Sequence, residues 1–160
     1  MPEQIALESY TRELFQCLEE TFEQTHGRYL DKGTSLFLTL DEISPADASR
    51  PIAAGCASIA AHVEHVRFYL DVLNEIMQKE AVTKVNWREI WETVREVSPE
   101  EWEAAKQRLR ESYQRILALL KDYDRWQGEY GVSGSLAVLA HSAYHLGAIR
   151  QAWCALRANK

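Results

Sequence analysis

The chain has 160 residues, of which 46% are hydrophobic and 26% charged, with a formal net charge of -6. Such a length suits one soluble domain spanning residues 1–160, and the acidic balance argues against nucleic acid, whose phosphates need a basic face. No stretch approaches the roughly 18 uninterrupted apolar residues of a membrane span, and Met1-Pro2-Glu3-Gln4 lacks a basic or apolar leader, so the expected setting is cytoplasmic, away from membranes.

From about Glu3 to Leu30, Ile5, Leu7, Leu14, Phe15, Leu18 and Phe22 recur at helical spacing, with Glu and Gln on the other side. His26, beside Gly27, reads as a cap near the end of this first helix. Gly33, Ser44-Pro45 and Pro51 punctuate the next stretch, in which Leu36, Phe37, Leu38 and Leu40 suggest a short turn of helix.

A second long helix is expected from Pro51 or Ala57 to Lys79, with Ile59, Val63, Val66, Phe68, Tyr69, Val72, Leu73 and Ile76 forming a broad apolar stripe. Val82 to Val97, with Trp87 and Trp91, reads as a crossover holding a short helix at Asn86 to Val94. Ser98-Pro99-Glu100-Glu101 is a strong helix start: a capping serine, a proline at the first helical position and a glutamate that completes a capping box. The third helix then extends to about Asp124, turning Trp102, Leu109, Tyr113, Ile116, Leu117 and Leu120 inward.

Gly128, Gly131 and Gly134 break the chain before a fourth helix, Leu136 to Ala158, capped by Ser133 or Ser135. No segment alternates as a strand does. The expected fold is all-α: a four-helix bundle with a long crossover between the second and third helices. Bundles of this kind place ligands and metals between facing helices.

Cys17, Cys56 and Cys154 are odd in number and never spaced Cys-x-x-Cys, which argues against a disulfide framework or a thiolate zinc site. Each is expected as a small buried apolar residue. The five Trp and seven Tyr are read first as packing residues.

Histidine spacing carries the chemical signal. His141 and His145 stand four apart, about 400° of rotation and roughly 6 Å of rise, and so share one helical stripe. Two nitrogens so placed can close on one divalent cation at about 2.0–2.1 Å. His62 and His65 form a second pair on another helix, and Tyr69 shares their face. Spacing alone leaves both pairs open between metal ligands and hydrogen-bonded core histidines. It does argue against haem, whose axial ligands approach from opposite faces of the ring.

His141-x-x-x-His145-x-Gly147-x-Ile149-Arg150-Gln151 resembles the fourth-helix signature of the DinB-like superfamily. His65 followed by Phe68-Tyr69 resembles the second-helix counterpart, and the stretch from Trp87 to Trp102 resembles the region between the second and third helices. The resemblance implies a four-helix bundle with a divalent metal, commonly zinc or nickel, on three histidines: one from the second helix and two from the fourth. By position these are His65, His141 and His145. His62 lies one turn away on nearly the same face; His65 is preferred because an aromatic residue follows it at the family's spacing, which makes His62 a wall of the pocket.

Three neutral imidazoles leave coordination positions open, as in catalytic rather than structural zinc sites. An open ion lowers the pKa of bound water or holds a thiol as thiolate. Arg150 and Gln151 suit helix-to-helix hydrogen bonds, Tyr144 suits packing, and Glu64, between the second-helix histidines, suits a solvated surface. The resemblance implies either a transferase acting with a small-molecule substrate and a low-molecular-weight thiol of the bacillithiol or mycothiol type, or a metal-dependent hydrolase. The competing reading is a non-catalytic metal-binding or stress-associated protein. Exposed Trp residues would suit a homodimer.

Overall fold

Helical periodicity becomes seven helices in the computed structural model, which describes residues 4–81, 84–94 and 96–158. They are α1 (Leu7–Phe22), α2 (Leu36–Asp41), α3 (Pro45–Ser49), α4 (Ile59–Lys79), α5 (Glu89–Thr93), α6 (Pro99–Lys121) and α7 (Gly131–Ala158). No strand occurs among the described residues, so the fold is all-α as expected. The four long helices share one core, with α4 packed against both α6 and α7, and α1 against α7. At its centre lie Leu18, Phe22, Ile59, Val63, Trp102, Leu109, Tyr113 and Ile149, with the Phe22 and Tyr113 rings stacked at 4.2 Å.

Local chemistry sets the helix starts. Ser98 accepts the Glu101 N–H at 3.2 Å while the Glu101 carboxylate accepts the Ser98 N–H at 2.7 Å, completing the expected capping box with Pro99 at the first helical position. The Ser58 hydroxyl likewise accepts the Ala61 N–H, so α4 begins at Ile59 rather than at Pro51 or Ala57.

Three boundaries differ more. α1 ends at Phe22 instead of running to Leu30, because the next residues fold back over Glu20. Its carboxylate, fully buried, accepts N–H groups from His26 (3.0 Å), Arg28 (2.9 Å), Tyr29 (2.8 Å) and Leu30 (2.6 Å). Gly27, at φ +76°, supplies the left-handed turn that aims the N–H groups on either side of it at one oxygen. His26 is therefore no helix cap but a surface residue with Nε2 3.1 Å from Glu19. Ile5 and Leu7, expected on the apolar face, are exposed.

The fourth long helix starts five residues early, at Gly131. Gly131 and Gly134 do not break it; they let it approach its neighbours, since a Cβ on Gly131 would lie 2.4 Å from the Trp126 carbonyl oxygen and one on Gly134 3.0 Å from Met77 Sδ. Ser133 and Ser135 accordingly lie inside the helix, their hydroxyls donating to the carbonyls of Glu129 and Val132. α6 stops at Lys121, three residues short of Asp124.

The stretch expected to hold one short turn holds two helices, α2 and α3. The segment is tied to the core: the Trp102 indole N–H donates at 2.9 Å to the carbonyl of Ile43, between α2 and α3, and Arg150 donates to Thr39 of α2 at 3.1 Å, the helix-to-helix bond expected of Arg150. The long crossover from α4 to α6 carries α5, shorter than the Asn86–Val94 span expected.

Candidate metal centre

Where α4 packs on α7, the His62–His65 stripe meets the His141–His145 stripe. One nitrogen from each of His65, His141 and His145 lies within 4.8 Å of the other two, close enough to share one ion. Ring centroids are 5.1 Å apart for His65 and His141, 4.8 Å for His65 and His145, and 4.5 Å for His141 and His145. His65 and His145 are buried and His141 is half-buried.

Neighbours hold each ring. The Tyr69 ring, one turn along α4, stacks on His141 at 3.6 Å and 14°, and Trp91 of α5 lies over His65 at 4.4 Å. His62 stands outside the trio and bonds one of its members: its Nδ1 is 2.9 Å from Nδ1 of His145. One of these two nitrogens must carry the proton and the other the lone pair. With the proton on His145, its Nε2 is left with a free lone pair.

Burial pushes all four imidazoles below the usual histidine pKa, His141 to about 4 and His145 to about 3; for these two and for His62 the neighbouring histidines add to the shift. The rings are neutral near pH 7, the form that binds metals. His65 Nδ1 and His141 Nε2 are buried without a hydrogen-bond partner among the described residues. A buried polar nitrogen left unpaired carries a desolvation penalty of about 1–3 kcal/mol, and two of them within a set of imidazole donors fit a divalent cation such as zinc or nickel.

The histidines open onto a cavity of about 670 Å³. His62, His65 and His145 form one wall; Ile52, Trp91, Ala148 and Ala152 supply apolar surface, with Cys56 and Gln151 beside them. Several residues depart from expectation here. Tyr144 is 71% exposed at the cavity mouth, so it is not packing filler. Gln151 faces the cavity rather than another helix. Cys56 and Cys154 are exposed and Cys17 is half-buried, so none is the small core residue expected. Glu64 is neither aimed at the histidines nor free in solvent: it pairs with Arg67 at 2.7 Å and Arg108 at 3.6 Å. Trp91 was singled out in the sequence only as a marker of the crossover, and no local spacing signals that it roofs His65.

Fold and site thus define an all-α protein with a three-histidine cluster at the foot of an open cavity. The family model of the DinB superfamily matches residues 29–149, most of the chain and both histidine-bearing helices. The chain belongs to the DinB superfamily. Neither a curated protein nor a solved structure matches it.

Proposed function

We propose that the chain binds one divalent metal ion, zinc or nickel, through His65, His141 and His145, and that it is a metal-dependent enzyme acting on a small molecule in the adjoining cavity. The observation that carries this reading is the convergence of three histidine nitrogens within 4.8 Å, two of the three residues, His65 and His145, lining a 670 Å³ space of a size typical of small-molecule sites. A metal that merely braced the helices would have no use for that space.

A bound divalent ion would supply the stabilisation that keeps a thiol as thiolate at neutral pH. The residues around it have separable tasks. With the proton on His145 Nδ1, His62 accepts it as a hydrogen bond and so fixes that ring's tautomer and direction. Tyr69 holds the plane of His141, and Trp91 shields His65 from water.

The reaction that best suits this arrangement is S-transfer from a low-molecular-weight thiol to an alkylating electrophile. The thiol proton passes to solvent, the sulfur lone pair forms the new S–C bond, and the leaving group departs with the electron pair of the bond it breaks. Such a protein would partner small molecules rather than nucleic acid or membrane; no helix among the described residues is long and apolar enough to cross a membrane. A homodimer is the proposed assembly, checked by light scattering.

The test is metal content of untagged protein by mass spectrometry, followed by turnover of thiol with a chloronitrobenzene electrophile in metal-loaded and chelated samples. We expect about one ion per chain, reduced at least about 100-fold in affinity by His145→Ala, and thiol consumption only when metal is present. Metal-free wild-type protein would overturn the site. Stoichiometric metal that alters only thermal stability would leave the non-catalytic reading.

A further inference from the structure

One face of α7 is exposed along nearly its whole length. Val132, Leu136, Ala140, Tyr144, Gln151 and Cys154 follow one another in steps of four, four, four, seven and three, so they form a single line on the 28-residue helix. None of the six is charged. α7 has no aspartate or glutamate at all, and its two arginines are turned to other groups: Arg150 donates to Thr39, and Arg157 lies 4.8 Å from the Trp153 ring. The other long helices carry carboxylates on their outer faces, among them Glu8 of α1, Glu75 of α4 and Glu103 of α6.

The line also carries bulk, since Val132, Leu136 and Tyr144 are 44%, 46% and 71% exposed. Beside it stands exposed Leu7, one turn before Tyr10, whose hydroxyl is 2.7 Å from Ser135 Oγ. Ile52, also exposed, lines the cavity together with Tyr144. Five of the nine large hydrophobic side chains exposed among the described residues thus lie on α7 or next to it. From this distribution we infer that the α7 line is an interface with a second copy of the chain, the two helices packing on each other about a two-fold axis near Tyr144. The inference names the face for the homodimer proposed above and rests on that reading.

Charge and area both favour a second copy. Each chain carries a net charge of -6, so two copies repel wherever carboxylates meet, and α7 is the long helix that brings none. A two-fold contact sets a patch against itself, which an uncharged apolar line tolerates. At about 1.5 Å per residue α7 is roughly 40 Å long, and a face about 10 Å wide covers roughly 400 Å². Leu7 and Ile52 extend the patch towards the roughly 800 Å² per partner of a standard interface. Tyr144 and Gln151 line the cavity as well, so the second copy borders its mouth.

Sedimentation equilibrium of untagged protein at about 10 μM tests the face, with wild type expected as a dimer. Leu136→Glu should weaken the dimer at least about 100-fold, because the two-fold buries the new charge twice, while its far-UV circular dichroism stays that of wild type. Leu38→Glu, at an exposed leucine on α2, should leave the dimer intact. In a background of Cys56→Ser and Cys154→Ser, Tyr144→Cys should cross-link to its own copy on mild oxidation, and Leu38→Cys should not. A dimer indifferent to Leu136→Glu, or one that Tyr144→Cys fails to cross-link, overturns the α7 face and leaves the homodimer standing. A monomeric wild type overturns both, and flotation of that monomer with phosphatidylcholine vesicles would give the face to lipid instead.

Discussion

The Glu20 carboxylate and the imidazoles of His65, His141 and His145 are all withdrawn from water, yet they are left in opposite states. Glu20 accepts four backbone N–H groups, and both of its oxygens are used. Burial alone would raise its pKa; the four donors, led by the Tyr29 N–H, outweigh burial and bring it down to about 2. In the histidine cluster, burial lowers the pKa of every ring, and two nitrogens find no partner among the described residues. One polar cluster is satisfied by its own chain and organises a loop. The other leaves two ring nitrogens without a partner among the described residues, as a site that could hold an ion does.

That contrast sets the size of the effects expected from mutation. Glu20→Gln should be the most damaging change, lowering stability in urea by about 3 kcal/mol, because a neutral amide replaces charge-assisted acceptance and offers one carbonyl oxygen to four donors. A loss under about 1 kcal/mol would show that the loop does not depend on the carboxylate. The same residue predicts a pH dependence. Its folded pKa lies below the ordinary carboxylate value of 4.5, so its contribution is complete above that value and is lost as pH falls from about 4.5 towards 2. Wild-type stability should fall through that window more steeply than that of Glu20→Gln, as read by urea denaturation at a series of pH values.

The histidine cluster should answer differently. His62→Leu is expected to weaken zinc binding by about 10–100-fold, with His62→Asn recovering part of the loss by accepting the His145 Nδ1–H again. Chelated His62→Leu should keep wild-type stability within about 1 kcal/mol. If Leu and Asn bind zinc equally well, His62 does not position His145. The smallest effect belongs to a residue in neither cluster: Gly147 lies within α7, and a Cβ there would meet nothing within 4 Å. Gly147→Ala should raise stability by about 0.5–1 kcal/mol through helix propensity alone, with zinc affinity unchanged.

Much of this could be read from residue order. The stripes through Val63, Val66, Leu109 and Ile116, and the Ser98–Glu101 box, depend on contacts within a few turns, so local periodicity and capping chemistry foretold α4 and α6. The four-residue step from His141 to His145 likewise placed both rings on one face. The loop over Glu20 was illegible, because a helical glutamate among other glutamates looks solvated until residues 26–30 fold onto it. The glycines before α7 looked like breakers because their actual neighbours, Trp126 and Met77, become close only on packing.

By itself, then, the sequence determined the helical class, the long elements and the stripes on which the four clustered histidines lie, because those features follow from spacing along one helix. Only tertiary structure decided that His62 bonds His145 and that Trp91 roofs His65 beside the cavity, and it brought the His65 already favoured by the family's spacing together with the α7 pair. Each of those depends on the rotation of α4 against α7 and on the path of the crossover, which no spacing within a single helix records.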